Sequence, residues 1–334
     1  MRILVIGAGS IGSRHAENAR RHGEVALLDS DRERVLDVAG QLGISSFSRE
    51  DDAWGWAPDG VIVATPTHLH IEYAAKAVEH GVKTVLIEKP IAHSLAGVTK
   101  HLSDAKAEGA RLFVVTNMRF HPAIQVVKDN LSLIGQPLFA RGHYGNYLPN
   151  MRPGMDYRKL YASSRAQGGG VILDVIHEID YMSWLFGDVG SVMAHAAKLS
   201  DLEIDVEDYA SVIMEHDSGV RTTLTMDYLQ QCKRRGCEIV GTEGTLIWES
   251  EGKSPEQCVV KLYEKETGHW KSLLELSGVD ASRFYQMQID EFAAAIGNQK
   301  HQLASAGQGY RALRVALAAH KAAQTGCMVN PAEG

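Results

Sequence analysis

The first residues that could do chemistry form a glycine-rich turn near the N-terminus. Gly7, Gly9 and Gly12 follow a short apolar run and precede a segment of helical length. In this spacing the first glycine allows a tight turn, the second lets the backbone approach a pyrophosphate, and the third lets helix and strand pack closely. Phosphate oxygens would lie against the helix N-terminus, at Ser10 and Ile11. The turn therefore predicts a dinucleotide site.

A carboxylate at the end of the second apolar run bears on which dinucleotide binds. Asp29 lies about 20 residues beyond the glycines, where a carboxylate accepts hydrogen bonds from ribose hydroxyls. Its charge would repel a 2′-phosphate, which predicts NAD as the cofactor. Arg32 and Arg34 follow closely enough to weaken that preference, so NADP stays an alternative. A methyltransferase with a related glycine turn is the main competing class.

Two further polar segments each follow a predicted buried strand. Thr65, Pro66 and His70 follow one apolar run, and Glu88 and Lys89 follow the next. Ligands of open α/β sheets bind at the carboxyl ends of the strands, so these residues extend the predicted cofactor site. For Glu88 and Lys89 taken alone, a solvated surface ion pair is the simpler explanation.

A carboxylate and an imidazole follow three consecutive glycines in the second half of the chain. Asp174 and His177 lie in segment 171–186, which is predicted to be one helix with an apolar stripe. With Glu178 and Tyr181 they would share the face opposite that stripe, where the carboxylate, one turn away, could orient the imidazole and raise its basicity. The pair is a candidate acid/base group, although a lone helical histidine is more often structural.

The loop before these glycines is rich in aromatic and basic residues. Tyr147 and Tyr157 suit contact with sugar rings, and Arg152 and Arg158 could hold a carboxylate or a phosphate. We therefore expect an anionic substrate, either a sugar acid or a nucleotide-linked sugar. An ordered surface loop whose arginines cap helix ends explains the same residues equally well.

The elements that must position these residues divide the chain into two parts. Over residues 1–121, continuous apolar runs at 3–6, 25–28, 61–64, 84–87 and 112–115 alternate with helix-length segments. This alternation predicts an α/β domain with a doubly wound parallel sheet, in which Asp31 and Ser94 cap two helices. Over residues 122–334, period-two alternation predicts an α+β domain on a largely antiparallel sheet, with a hairpin at 208–228.

Composition limits the class of protein further. The chain has 334 residues, 45% of them hydrophobic, and a formal net charge of −7. It is long enough for two domains with sizeable cores, and its acidity argues against a nucleic-acid or anionic-membrane surface. The four cysteines have neither metal nor redox spacing, and no apolar stretch is long enough to span a bilayer. We expect a cytoplasmic protein without a metal site.

The order and spacing of the motifs resemble one known family. The glucose–fructose oxidoreductase, inositol dehydrogenase and MocA family (Gfo/Idh/MocA) is similar over nearly the whole chain. The resemblance is carried by Gly7–Gly12, Thr65-Pro66 with His70, Glu88-Lys89-Pro90, and Gly168–Gly170 leading to Asp174 and His177. It implies a Rossmann domain and a second domain with an open sheet, whose exposed face supports homodimers or homotetramers. It also implies NAD(P)-dependent oxidation or reduction at a carbon of a sugar-type substrate.

Residue roles follow from the resemblance. His177 is expected to be the acid/base, Lys89 to polarise the reacting oxygen and help move the proton, and Asp174 to position His177 or the substrate. The family commonly has three residues between this aspartate and histidine, whereas this chain has two. The loop 147–158 also resembles that of members found with bacterial surface-glycan synthesis. The alternative is a non-catalytic dinucleotide-binding sensor, and Glu88-Lys89-Pro90 disfavours a methyltransferase.

Overall fold

A computed structural model of the chain describes residues 1–252 and 256–333. Its strands are β1 (Arg2–Ile6), β2 (Glu24–Leu28), β3 (Ser45–Phe47), β4 (Gly60–Val63), β5 (Thr84–Ile87), β6 (Arg111–Val114), β7 (Pro137–Gly145), β8 (Val189–Ala197), β9 (Tyr209–His216), β10 (Arg221–Asp227), β11 (Arg234–Gly241), β12 (Gly244–Glu251), β13 (Glu256–Glu264), β14 (His269–Val279) and β15 (Ala304–Ser305). Its α-helices are α1 (Ser10–Ala19), α2 (Arg32–Leu42), α3 (Glu50–Gly55), α4 (His70–Glu79), α5 (Val98–Ala107), α6 (Pro122–Asn130), α7 (Leu148–Met151), α8 (Val171–Asp174), α9 (His177–Phe186), α10 (Ser282–Ile296) and α11 (Ala306–Thr325).

The chain forms two compact units, each made of two segments. The first contains Met1–Asn117 and Ser282–Tyr310, and the second contains Met118–Ala281 and Arg311–Gly334. This division differs from the predicted one, 1–121 and 122–334, chiefly in where Ser282–Tyr310 belongs. The reason is burial, because Ile289 and Phe292 of α10 complete the apolar core around β1 and β2.

The first unit is a doubly wound sheet with the strand order β15-β6-β5-β4-β1-β2-β3. Strands β1 to β6 are parallel, and β15 pairs antiparallel with β6 at one edge. The central strands are buried on both faces, which is why their sequences read as unbroken apolar runs. The strand order reverses at β1 and β4, and this switch point is where open α/β sheets bind ligands. The predicted fold class is confirmed.

Helix boundaries in the first unit follow local capping. The Asp31 side chain accepts a hydrogen bond from the Arg34 N–H at 3.1 Å, as predicted for an N-cap of α2. The prediction that Ser94 caps a helix is wrong, because α5 begins only at Val98, after Gly97 in a left-handed conformation. A 3-10 turn, Thr67–Leu69, directly precedes α4.

The second unit is an eight-stranded sheet with the order β14-β13-β12-β11-β7-β10-β9-β8. Only β7 and β10 pair in parallel, and the other neighbours are antiparallel. The predicted hairpin is confirmed as β9 and β10, with Thr222 opposite Met214. In β10, Thr222, Leu224 and Met226 are buried and the residues between them are exposed, in agreement with the period-two alternation. Among the described residues, no helix has the length and apolarity needed to cross a membrane.

The predicted continuous helix over 171–186 is wrong. Helix α8 ends at Asp174, Val175 leaves the helical region with φ −96° and ψ 25°, and α9 begins at His177. The predicted polar face is wrong for Glu178 and Tyr181, which are fully buried together with the apolar stripe, whereas Asp174 and His177 are partly exposed. The buried Glu178 is paired with Arg235 rather than with solvent, so amphipathic spacing did not reveal it.

Candidate active site

The three glycines of the N-terminal turn differ in how much space a side chain would have at each position. Gly7 has φ +104°, and a Cβ there would lie 2.5 Å from the carbonyl oxygen of Ala64. A Cβ at Gly12 would overlap the carbonyl oxygen of Gly7. At Gly9, by contrast, a Cβ would meet no atom within 4 Å among the described residues. Gly7 and Gly12 are therefore required by packing, whereas Gly9 borders open space.

The N-terminus of α1 has the electrostatic character of an anion site. Gly9 is its N-cap residue and provides no side-chain hydrogen bond, and the first turn contains no acidic residue. The first N–H groups of the helix and its dipole therefore attract negative charge. Together with the open space at Gly9, this end of α1 fits the pyrophosphate of a dinucleotide.

Asp29 lies beside the glycine turn and holds its backbone. One carboxylate oxygen accepts the Ala8 N–H at 2.7 Å, and the other accepts the Asp31 N–H at 2.9 Å. The Arg34 guanidinium lies 3.6 Å from the same carboxylate and also pairs with Asp31 at 2.7 Å. Asp29 thus fixes the loop geometry and retains lone pairs for ribose hydroxyls, while Arg34 brings a positive charge to the same place.

His70 connects the loops that follow β4 and β5. Its Nε2 lies 2.9 Å from the carbonyl oxygen of Thr65, and its Nδ1 lies 2.8 Å from that of Pro90. Burial lowers the pKa of His70 and outweighs the two carbonyl contacts, which favour the charged ring. His70, through the carbonyl oxygens of Thr65 and Pro90, therefore ties together the loops after β4 and β5, and cofactor contact by Thr65 and Pro66 stays a prediction.

Lys89 is the one partly exposed residue between Thr84 and Ala92. Glu88 beside it is buried, and its carboxylate contacts His15 Nε2 at 2.6 Å and accepts the Lys89 N–H at 3.0 Å. The solvated surface ion pair considered for Glu88 and Lys89 is therefore wrong for Glu88. Sequence analysis missed His15, although its position one turn beyond Gly12 in α1 was a usable signal.

In the second unit, the three glycines allow a close approach of neighbouring groups. Gly168 ends a 3-10 turn with φ +78°, and a Cβ at Gly170 would overlap the Glu207 carboxylate. That carboxylate accepts the Ile172 N–H at 3.2 Å, at the start of α8, and contacts His320 at 3.1 Å. The glycines thus let Glu207 cap α8, which ends at Asp174.

Asp174 is held by two tyrosines that sequence analysis did not identify. The Tyr161 hydroxyl donates to one oxygen of Asp174, and the Tyr228 hydroxyl donates to the other at 3.2 Å. Across residues 171–182, only Asp174 and His177 are partly exposed. The two predicted catalytic residues of this unit are therefore the positions in that stretch that a ligand can reach.

The other acidic residues near His177 in sequence serve the structure. Glu178 pairs with Arg235 at 2.7 Å, and Asp180 forms a bidentate pair with Arg119 at 2.9 and 2.7 Å. Burial raises the pKa of Glu178 despite the nearby Arg235 charge. These pairs fix the base of α9, whose first residue is His177.

The loop predicted to contact substrate contains residues of two kinds. The Arg158 guanidinium binds Asp156 at 2.9 Å and Glu203 at 2.8 Å, and the Tyr157 hydroxyl accepts the Glu203 N–H at 3.2 Å. These contacts are those of an ordered surface loop, the alternative considered for this segment. Arg152 differs, because within 1–252 and 256–333 its half-buried side chain has no hydrogen bond or ion pair. Tyr147 is likewise half-buried.

The strand order and the glycine turn define a Rossmann-type dinucleotide-binding domain, and the matches to known families make the protein an NAD(P)-dependent oxidoreductase. The chain belongs to the Gfo/Idh/MocA family. Residues 1–116 match the oxidoreductase family with an NAD-binding Rossmann fold, and residues 130–247 match the GFO/IDH/MocA C-terminal domain. No group of three His, Cys, Asp or Glu residues able to hold a metal ion occurs in the described part of the chain.

Individual relatives agree with this assignment. Myo-inositol 2-dehydrogenase of Thermotoga maritima is 31% identical over 66% of this chain and 66% of that protein. Inositol 2-dehydrogenase 3 of Saccharopolyspora erythraea is 26% identical over 98% of this chain and 95% of that protein. The fold also matches the WlbA dehydrogenase from Bordetella pertussis, solved with NADH and UDP-GlcNAcA, with a TM-score of 0.81 and 21% identity over 98% of each chain.

Proposed function

We propose that this protein oxidises or reduces a hydroxyl-bearing carbon of a sugar, sugar acid or nucleotide-linked sugar, with NAD as the preferred cofactor. The observation that carries the proposal is the pair Asp174 and His177, left partly exposed in an otherwise buried segment. The named activities of the inositol dehydrogenase relatives support a substrate with several hydroxyl groups. Family membership removes the methyltransferase alternative and argues against a non-catalytic sensor.

The proposed reaction gives a separate role to each of three residues. When bound, the nicotinamide supplies the hydride acceptor or donor. His177 accepts the hydroxyl proton during oxidation and returns it during reduction, because imidazole titrates near neutral pH. Lys89 polarises the reacting oxygen with its ammonium group and helps to move the proton. Asp174, fixed by its two tyrosine partners, positions His177 or a substrate hydroxyl.

We propose that the substrate is anionic, and we assign its charge to Arg152. An arginine without a carboxylate partner can bind a carboxylate or phosphate with two parallel hydrogen bonds. Arg158 lacks this capacity because Asp156 and Glu203 occupy its guanidinium. A role in surface-glycan metabolism would fit such a substrate and stays part of the proposal.

A substrate panel tests both statements. Neutral polyols and sugars, sugar acids and nucleotide sugars are incubated with NAD, and the absorbance of reduced nicotinamide is followed. We expect turnover of an acidic or nucleotide-linked member, with a higher KM in Arg152→Ala and an unchanged KM in the matched control Arg158→Ala. Efficient turnover of a neutral sugar that is indifferent to Arg152→Ala contradicts the anionic substrate, and no turnover of any member contradicts the function.

We also propose that copies of this chain associate through the second sheet. The family resemblance implies association through the open face of this sheet, and the register places the exposed apolar side chains of Ile213 and Trp270 on that one face. Sedimentation should show a dimer or tetramer that Trp270→Glu dissociates. A monomeric wild type contradicts this proposal and leaves the proposed chemistry unaffected.

A further inference from the structure

A buried histidine and a buried glutamate form a pair beneath Lys89. His15 lies on α1, and its Nε2 is 2.6 Å from a carboxylate oxygen of Glu88, which follows β5. The His15 ring is fully buried, and the Glu88 side chain is 10% exposed. These two residues are distant in sequence, and the proposed proton transfer uses neither of them.

The hydrogen of His15 is assigned by its surroundings. Its Nδ1 is buried and has no hydrogen-bond partner among the described residues. The ring hydrogen therefore belongs on Nε2, where it donates to Glu88. Burial raises the pKa of Glu88, but the His15 hydrogen bond and the Lys89 charge outweigh it and hold this pKa below its ordinary value. The ionised form of the buried Glu88 carboxylate is therefore stabilised by its hydrogen bond with His15.

The same carboxylate holds the backbone of Lys89. The second oxygen of Glu88 accepts the Lys89 N–H at 3.0 Å. On the other side, the carbonyl of Pro90 lies against buried His70. The backbone of Lys89 is therefore anchored through both of its neighbours, while its own side chain is partly exposed.

The hydrogen bonds that run from Lys89 through Glu88 to His15 end on the helix that follows the glycine turn. His15 lies one helical turn beyond Gly12, in the helix whose N-terminus begins at Gly9. Tyr285 of α10 packs edge-on against the His15 ring, with centroids 6.0 Å apart, and Arg14 lies over Tyr285 at 4.8 Å. The helix end that faces the open space at Gly9 and the backbone of Lys89 are thus joined by two consecutive hydrogen bonds.

We propose that His15 and Glu88 are positioning residues that link the dinucleotide-binding end of α1 to Lys89. A pyrophosphate held at the N-terminus of α1 fixes this helix, and the His15–Glu88 contact carries that constraint to the backbone of Lys89. The inference rests on the proposed placement of the cofactor at Gly9 and α1. The proposed role of His15 is to couple cofactor binding to the position of Lys89.

The test compares two substitutions of His15. His15→Leu keeps much of the volume and removes the donor, whereas His15→Gln places an amide N–H near the former Nε2. His22→Leu is the matched control, because His22 also pairs with a carboxylate of this unit, Asp290, at 2.7 Å. NADH affinity is measured by fluorescence titration. Acetylation of Lys89 by acetic anhydride is measured by peptide mass spectrometry, with and without saturating NADH.

We expect NADH to slow acetylation of Lys89 in the wild type, in His15→Gln and in His22→Leu. In His15→Leu, NADH affinity should fall about tenfold or more, the effect of losing one hydrogen bond to a charged group. At saturating NADH, the protection of Lys89 should also be lost in this variant. A structural role alone would lower thermal stability without uncoupling Lys89 from bound NADH.

The outcomes separate the inference from the proposed function. If His15→Leu binds NADH and protects Lys89 like the wild type, the inference is overturned while the cofactor site stands. If the wild type does not bind NADH, the cofactor placement fails and the inference with it. If His15→Leu does not fold, Glu88→Gln decides, because it keeps an acceptor for His15 and removes the carboxylate at the Lys89 N–H. Retained protection in Glu88→Gln overturns the inference.

Discussion

Gly9→Ala should separate stability from cofactor binding. The backbone at Gly9 has φ −71° and ψ −178°, which alanine adopts without strain, and a Cβ meets nothing within 4 Å in the described residues. Alanine is a poorer N-cap than glycine by roughly 0.5–1 kcal/mol, but it lowers the entropy of the unfolded chain by about 0.4–1 kcal/mol. These effects offset each other, so the free energy of unfolding should change by less than about 1 kcal/mol.

The same methyl group should interfere with the dinucleotide. It would fill the space where backbone N–H groups approach a pyrophosphate, and losing one hydrogen bond to a charged group costs about 1.5–3 kcal/mol. The affinity for NADH should therefore fall about 10- to 150-fold, since 1.4 kcal/mol corresponds to a factor of ten. Fluorescence titration with NADH and thermal unfolding of the same samples measure the two quantities.

Two other glycines provide matched controls. A Cβ at Gly40, inside α2, also meets nothing within 4 Å of the described chain, so Gly40→Ala should raise stability and leave NADH affinity unchanged. Gly12→Ala should destabilise the protein, because its Cβ would overlap the backbone of Gly7. If Gly9→Ala binds NADH within twofold of the wild type, the reasoning about the glycine turn is refuted.

Three further predictions concern single side chains. Asp29→Ala should weaken NADH binding by about 1–3 kcal/mol and NADPH binding less, and a wild type that prefers NADPH tenfold would contradict this. His177→Ala and Lys89→Ala should each lower turnover by about a hundredfold or more. The affinity for NADH should be better preserved in His177→Ala than in Lys89→Ala. Normal turnover in either variant would show that the substituted residue takes no part in the mechanism. The pKa of Glu256 is about 2, because the His121 hydrogen bond and the Lys233 charge outweigh the effect of burial. Stability from this depressed pKa is present above the unfolded value near 4.5 and is lost as the pH falls towards 2, so Glu256→Gln should reduce stability at neutral pH and weaken its dependence on pH across that window. Acid-denaturation curves of the two proteins that stay parallel in this range would refute the assignment.

The sequence predicted the first unit well because its strands are buried on both faces. An unbroken apolar run such as 84–87, between segments of helical length, indicates a strand buried on both faces, and β5 has these bounds. The hairpin β9–β10 was equally predictable, since one buried face imposes alternation. Segment Ser282–Tyr310 was not predictable from local pattern, because its place in the first unit depends on packing of α10 against distant strands.

The candidate site shows the same limit. The glycines and Asp29 could be identified because each is required by its own backbone geometry or position. The break in the helix at Val175 was not predicted, because 171–186 has helical periodicity throughout. Tertiary contacts, which the local sequence does not show, decide where the first helix ends. The contacts of Arg158 with Glu203 and of His15 with Glu88 join residues that are 45 and 73 positions apart. Spacing along the chain does not encode such pairs.

The central claim is that a hydride passes between the nicotinamide and a substrate carbon while His177 handles the proton. The most direct measurement uses NADH deuterated at both C4 positions with the oxidised form of the substrate found in the panel. The account predicts one deuterium on the reduced carbon of the product, formed at least about a hundredfold more slowly by His177→Ala although this variant binds NADH. Product without deuterium, or an equal rate in His177→Ala, would contradict it.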